Sequence, residues 1–141
     1  MAHLERSVAT LRIMGDELVP EEISRLLSAV PTSSHAKGHQ FLSGPSRRVH
    51  KRNSGSWRLS AEETKPEDVD GQVSELLGQV TSDLSVWSYL ANRFRVDLFC
   101  GWFMRSGNEG LAISPKTMLA LGQRSIQLEL DIYGPYATDD A

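Results

Sequence analysis

The chain has 141 residues, of which 40% are hydrophobic and 23% charged, and its formal net charge is −3. These values fit one globular domain, and they give no general electrostatic argument for nucleic acid or an anionic membrane as a partner. The single cysteine excludes an internal disulfide, and no apolar run approaches the roughly 20 residues needed to cross a bilayer, so we predict a cytoplasmic domain without a membrane contact.

The first half of the chain predicts a strand, a helix and a second strand, separated by polar loops. Alternation of apolar residues predicts a strand over 7–13. Pro20 followed by two glutamates predicts a helix that Pro31 ends. Its buried stripe is Ile23, Leu26, Leu27 and Val30. Residues 39–42 suggest an edge strand, and the basic stretch 43–55 suggests a mobile surface loop. Trp57 and Leu59 predict the buried face of a short strand.

The second half predicts two helical segments, a central strand, a short helix and a last strand. The clearest helical stripe is Val69, Val73, Leu76, Leu77 and Val80. A further helical piece follows the capping candidates at 81–83, with Leu84, Trp87 and Leu90 placed inward. A central strand is predicted over 93–104, a turn over 106–110, and a brief hairpin partner over 111–113. Ser114 and Pro115 open a short helix, and the last strand has Ile126, Leu128, Leu130 and Ile132 on its inner face.

The resulting order is β-α-β-β-α-β-α-β, in a single domain of residues 1–141 with an ordered core over about 7–133 and a mobile tail over 134–141. Split β-α-β units of this kind indicate an α+β, ferredoxin-like fold, with a mostly antiparallel sheet and helices on one face. The extra helix and last strand extend that plan.

Metal binding and nucleophilic catalysis find little support in the residue pattern. His35 and His39 are four apart, but in a loop, and further Cys or His at zinc spacings are missing, so we expect no metal and no cofactor. Cys100 falls on the buried face of its strand, where a thiol is usually inert packing. The stretch 106–110, SGNEG, lacks the phosphate-loop pattern and reads as a tight turn.

The densest positive charge is the run 47–52, RRVHKR, which could attract phosphate or nucleic acid. Because no aromatic platform is evident beside it and the rest of the chain is acidic, a solvated loop is the favoured interpretation, with nucleic-acid binding kept as an alternative.

A polar sheet face is the first place to look for a site. If the central and last strands are neighbours, Arg95 and Asp97 would share a surface with the polar side of the last strand. A solvated sheet face with cross-strand ion pairs is the favoured interpretation of such a surface, because these pairs are common. Candidate binding residues are Arg95, Asp97, Asn108, Glu109, Trp57 and Trp102. An alternative is a ligand pocket or enzyme site lined by Trp57, Arg95, Asp97 and Trp102.

Four segments of the chain resemble the bacterial family of domains of unknown function numbered 4279. They are LRIMGDELVPEEISRLL, PTSSHAKG, GSWRLSAE and RVDLFCGWFMRSGNEGLAISPKTMLALGQRSIQLELDIYG. The chain departs from the family pattern at Val19, where members tend to carry Asp, and in an expanded basic loop over 39–53. The resemblance implies a small bacterial domain and carries over no catalytic or binding residues.

The leading hypothesis is therefore a non-enzymatic binding or interaction module that uses the exposed sheet face or the rim around residues 106–110. Its partner would be an unidentified protein or small molecule, and a homodimer through the sheet is a further possibility. By analogy with other small bacterial domains, a toxin-immunity role is an alternative that no residue supports.

Overall fold

The structure is a computed structural model and describes residues 2–135. Its strands are β1 (Ala2–His3), β2 (Arg6–Gly15), β3 (Ser33–His35), β4 (Gln40–Ser43), β5 (Arg48–Lys51), β6 (Gly55–Ser60), β7 (Arg95–Phe103), β8 (Glu109–Gly110) and β9 (Gln127–Tyr133). Its helices are α1 (Pro20–Leu27), α2 (Val69–Gln79), α3 (Leu84–Arg93) and α4 (Pro115–Gln123). Residues 136–141 of the predicted mobile tail lie outside the described residues. Over 2–135, no helix is long and apolar enough to cross a membrane.

A mixed five-stranded sheet with the order β3-β6-β2-β7-β9 forms the centre of this α+β fold. β2 pairs antiparallel with both β6 and β7, and β3 pairs antiparallel with β6, but β9 runs parallel to β7. The prediction of a mostly antiparallel sheet is therefore wrong, since the sheet is mixed. The physical reason is α4, which carries the chain back along the sheet so that β9 starts at the same end as β7.

The core lies on one face of this sheet, beneath α1, α2 and α3. Alternating residues of β2 point into it, as period two requires, and Trp57, Leu59 and the apolar positions of β7 join them. The buried apolar side chains that these three helices contribute are Ile23, Leu27, Val69, Val73, Leu76, Trp87 and Leu90, and α4 adds Leu121. The predicted inner faces of β2, β6 and β7 and the predicted stripe of α2 are therefore confirmed, with Leu77 partly buried at the edge of that stripe. The predicted inner face of β9 is wrong at Leu130 and Ile132, which are exposed because β9 is an edge strand.

Two predicted helix details are wrong. α1 ends at Leu27, before Pro31, because Ser28 adopts a left-handed conformation with φ 57° and the N–H of Ala29 donates to Ser24 O at 3.1 Å. Val30 consequently lies beyond the helix and is 84% exposed. Leu84 is also exposed, because it is the first residue of α3, directly after the cap Asp83.

Part of the predicted basic loop is a β-hairpin. β4 pairs antiparallel with β5, so Phe41 lies opposite His50. The predicted edge strand over 39–42 therefore exists as β4, but β5 is its partner and the two form a separate sheet.

The N-terminal strand forms an unpredicted pair with the turn after β7. β1 runs parallel to β8, with Ala2 opposite Glu109 and His3 opposite Gly110. The predicted hairpin partner over 111–113 is wrong, since those residues are not a strand. The pairing places the start of the chain over the end of the sheet.

A buried amide joins α2 to β2. Gln72 is 1% exposed, and its Nε2 donates to the carbonyl oxygens of Ser7 and Glu62, each at 2.9 Å. Its Oε1 accepts from the hydroxyl of Ser7 at 2.7 Å. This network connects α2 to β2, the middle strand of the sheet.

Candidate functional site

The predicted polar surface exists on the sheet face opposite the core. The parallel register of β7 and β9 places Asp97 beside Gln127, Phe99 beside Glu129, and Gly101 beside Asp131. Side chains at paired positions lie on the same side of a sheet, so these residues share one surface with the outward side of β2. We call this surface the open sheet face.

Asp97 is the most buried polar group of the open sheet face, and Arg12 is its partner. The carboxylate is 0% exposed, and it accepts two hydrogen bonds from Nε and Nη2 of Arg12, both at 2.8 Å. This fork geometry raises the pKa of Arg12, chiefly through the hydrogen bond to Asp97. Arg95 contributes less, because its Nη2 lies 3.9 Å from Asp97 and its side chain is 65% exposed.

The remaining groups of this face also bind one another. Tyr133 donates its hydroxyl proton to Asp131 at 2.6 Å, which raises the pKa of Tyr133. The ring of Tyr133 stacks on Phe103 with centroids 4.6 Å apart, and the guanidinium of Arg6 lies 3.6 Å from the centre of the Phe103 ring. The open sheet face therefore consists of mutually satisfied pairs.

Trp57 and Trp102 lie on the opposite side of the sheet from Arg95 and Asp97. Trp57 is fully buried, and its indole N–H donates to the hydroxyl of Ser24 at 3.0 Å. The structure therefore does not bring these four residues into one pocket. Arg95 and Asp97 are adjacent, whereas the two tryptophans belong to the core.

Glu109 fixes the turn after β7. Its carboxylate accepts the backbone N–H groups of Arg105 and Ser106, each at 2.9 Å, and the hydroxyl of Ser106 at 3.2 Å. These hydrogen bonds lower the pKa of Glu109, with the Arg105 N–H as the largest contribution. The carbonyl of Asn108 accepts from the same hydroxyl at 3.4 Å. Both predicted rim residues thus serve the turn, and Glu109 also lines the cavity beside it.

That cavity has a volume of about 410 Å³ and lies between the end of the sheet and the β1–β8 pair. We call it the Trp102 cavity. Its lining residues are Leu4, Trp102, Met104, Glu109, Gly110, Leu111, Ile113 and Ile132. Most of these lining side chains are apolar. Ile132 is among them because β9 is an edge strand, which leaves this side chain more than half exposed on the core side of the sheet.

The indole N–H of Trp102 is the unusual group at this cavity. The side chain is 9% exposed, and over the described residues its Nε1 has no hydrogen-bond partner. The indoles of Trp57 and Trp87 are both satisfied, the latter by the carbonyl of Thr81 at 2.9 Å. Most buried hydrogen-bond donors in proteins have an acceptor, so the unpaired indole N–H of a tryptophan that lines a cavity requires an explanation.

Cys100 lies in the core, where burial raises the pKa of its thiol to about 12 and the nearby charge of Asp97 adds to the shift. We therefore expect the native protein to react with iodoacetamide at pH 8 at least about 100-fold more slowly than the urea-unfolded chain, because the thiolate is the reacting form. Mass spectrometry of the alkylated fraction over time measures this. Equal rates in the two states would contradict the burial.

The two histidines considered as metal ligands lie at the other end of the molecule. Among residues 2–135, no group of three or more His, Cys, Asp or Glu side chains could hold a metal ion. His35 and His39 instead line a small pocket with Arg52 and Arg58. The hairpin also supplies aromatic contacts that the sequence did not reveal: Phe41 stacks on His50 at 5.3 Å, and Arg52 lies 4.0 Å from the centre of the Phe41 ring.

Comparison with known proteins gave one positive result. No curated protein and no solved structure matched the chain. The model of the family described as Domain of unknown function (DUF4279) matches residues 5–135, which includes every strand of the central sheet and all four helices. The chain therefore belongs to this family of domains of unknown function.

Proposed function

We propose that the protein is a non-enzymatic binding module that takes a small, largely apolar ligand with a hydrogen-bond acceptor into the Trp102 cavity. The observation that carries the proposal is the buried indole N–H of Trp102, which has no acceptor within the described residues. A ligand carbonyl or ether oxygen would supply one. Leaving such a donor unsatisfied costs about 1–3 kcal/mol, so a ligand acceptor would recover part of that free energy.

The shape and lining of the cavity support the same class of ligand. Its volume of about 410 Å³ is within the usual range of small-molecule sites, which are mostly apolar with a few polar groups that orient the ligand. Leu4, Leu111 and Ile113 provide apolar wall opposite the sheet. Nε1 of Trp102 is itself shielded from solvent, so a ligand acceptor would reach it only after the side chains around it move.

Binding is favoured over catalysis because the carboxylate in the wall is already engaged. Glu109 accepts hydrogen bonds from two backbone N–H groups and one hydroxyl, and its lowered pKa makes it a weak general base. The open sheet face is a weaker candidate, since Arg12 and Asp97 satisfy each other there.

We infer a ferredoxin-like topology for four strands of the central sheet. The order β3-β6-β2-β7 with antiparallel pairs, and helices after β2 and β6, supports a ferredoxin-like unit that α4 and β9 extend. We infer a bacterial protein of the cytoplasm, which the resemblance and the single unpaired cysteine support.

The indole N–H signals of ¹⁵N-labelled protein test the ligand class directly. Three tryptophans give three cross-peaks, and the variant Trp102→Phe assigns one of them. With cyclohexanone as the probe, we expect a saturable shift of the Trp102 signal, while the signals of Trp57 and Trp87 stay in place. Trp102→Phe should weaken cyclohexanone binding about tenfold, the equivalent of one hydrogen bond of about 1.4 kcal/mol.

Two controls make the result specific. Trp87→Phe removes an indole that already has an acceptor, so it should leave cyclohexanone affinity unchanged. Cyclohexane, which lacks an acceptor, should bind both Trp102→Phe and the natural protein with similar affinity. Cyclohexanone binding that is absent, or that is insensitive to Trp102→Phe, would refute the proposed function.

A further inference from the structure

The pocket at the far edge of the sheet gathers positive charge from three separate segments. β3 pairs with β6 so that Ser33 lies beside Arg58. The base of the hairpin is closed by the N–H of Gly38, which donates to Arg52 O at 2.8 Å, and by the N–H of Arg52, which donates to His39 O at 2.9 Å. The result is a pocket of about 400 Å³, which we call the cationic pocket. It is lined by Ser33, Ser34, His35, His39, Arg52 and Arg58.

The charge of the cationic pocket is uncompensated. Its lining contains two guanidiniums and two imidazoles, and no carboxylate among the described residues that form it. Neither Arg52 nor Arg58 has a carboxylate within ion-pair distance over residues 2–135, unlike Arg12. Burial lowers the pKa of His35, and repulsion from Arg52, Arg58 and His39 lowers it further.

Contacts within the protein orient the guanidiniums of Arg52 and Arg58 and leave some of their N–H donors available to a ligand. Arg58 donates through Nε to the hydroxyl of Ser56 at 3.1 Å, which orients the side chain and leaves its Nη donors free of that contact. Arg52 lies over the ring of Phe41, and a guanidinium stacked on a ring face keeps its N–H edge available. The planar guanidinium of an arginine oriented in this way can donate two parallel hydrogen bonds to two oxygens of a phosphate group.

We propose that the cationic pocket binds the phosphate group of a small phosphorylated ligand. Arg52 and Arg58 would each donate to phosphate oxygens, and the hydroxyl of Ser33, which lies on the same side of the sheet as Arg58, would add a further donor. The site lies apart from the Trp102 cavity and does not depend on the function proposed for it. A small ligand is favoured over nucleic acid because the donors converge on a concave pocket. The exposed Arg47, Arg48 and Lys51, which a nucleic-acid backbone would also contact, lie outside its lining.

Calorimetric titration with phenyl phosphate at constant ionic strength tests the assignment. We expect saturable binding that Arg52→Gln or Arg58→Gln weakens at least tenfold. Arg48→Gln, which removes a charge from the same hairpin outside the pocket, should change the affinity less than twofold. Both pocket arginines are exposed, and far-UV circular dichroism would verify that each variant is folded.

The imidazole of His35 gives an independent readout. A phosphate dianion beside it would offset the repulsion from Arg52, Arg58 and His39, so saturating phenyl phosphate should raise the pKa of His35 as followed by NMR. His3 pairs with Glu67 outside the cationic pocket, so phenyl phosphate should leave the NMR signals of its imidazole unchanged.

Three outcomes would overturn the proposal. The first is no binding of phenyl phosphate at 10 mM, a concentration on the order of the weakest useful affinity. The second is an equal loss with Arg48→Gln and Arg58→Gln, which would indicate diffuse attraction. The third is binding of a single-stranded oligonucleotide that depends on Arg48 and Lys51 but not on Arg58, which would assign the hairpin to nucleic acid instead.

Discussion

Replacing Arg12 by methionine should lower the free energy of unfolding by about 3–4 kcal/mol. The substitution leaves the carboxylate of Asp97, which is 0% exposed, without the two hydrogen bonds of 2.8 Å that compensate its burial. Methionine retains most of the aliphatic packing, so the loss reports mainly on the stranded charge. Urea denaturation followed by circular dichroism measures it.

Arg95→Met is the matched control, because it removes the other arginine next to the same carboxylate. Arg95 lies 3.9 Å from Asp97 and is largely exposed, so its loss should cost less than about 1 kcal/mol. Adding Asp97→Leu to Arg12→Met should recover part of the stability by removing the unpaired charge. Equally small losses in the free energy of unfolding for Arg12→Met and Arg95→Met would show that the hydrogen bonds from Arg12 do not compensate the burial of Asp97.

Replacing Gln72 by leucine should destabilise the protein by about 2–4 kcal/mol, although leucine is more apolar and of similar size. The change removes the acceptor of the Ser7 hydroxyl and the donor to the carbonyls of Ser7 and Glu62, in a site that is 1% exposed. Thermal and urea unfolding of the variant test this, and a shift within about 0.5 kcal/mol would show that water replaces the lost partners.

Gln79→Leu offers the same chemical change on the same helix. Gln79 is exposed at the end of α2, and its Nε2 donates to the carbonyl of Glu75 at 3.3 Å. We expect its effect to stay within about 0.5 kcal/mol, as for ordinary surface substitutions. A comparable loss in both variants would point to the helix as a whole and away from the buried amide.

Sequence periodicity predicted β2, β6, β7 and β9 and the inner faces of the first three, because alternation is a local property of the backbone. Ala9, Leu11 and Ile13 are all buried as expected. The direction of β9 was not predictable in the same way, since a parallel or antiparallel strand shows the same alternation. Its inner face was predicted as core, yet Leu130 and Ile132 are 42% and 55% exposed, because β9 is at the edge of the sheet.

The candidate sites depended on register and on short pairings, which leave little trace in one sequence. Asp97 was correctly placed opposite the core face, but Arg12, 85 residues earlier, could be recognised as its partner only from the pairing of β2 with β7. β1 and β8 have two residues each, too few for a periodic signal, so the Trp102 cavity was not foreseen. The cationic pocket likewise needed the hairpin to bring Arg52 back toward His39.

The position of β2 has a consequence for how the chain folds. Of the five strands of the central sheet, the middle strand β2 is synthesised first, and its partners β6 and β7 are synthesised much later. Its apolar side chains and both hydrogen-bonding edges stay unpaired until then, a state that favours association with other chains. Because the sheet is built from such distant pairings, we expect folding in milliseconds to seconds, slower than for a helical bundle of this length.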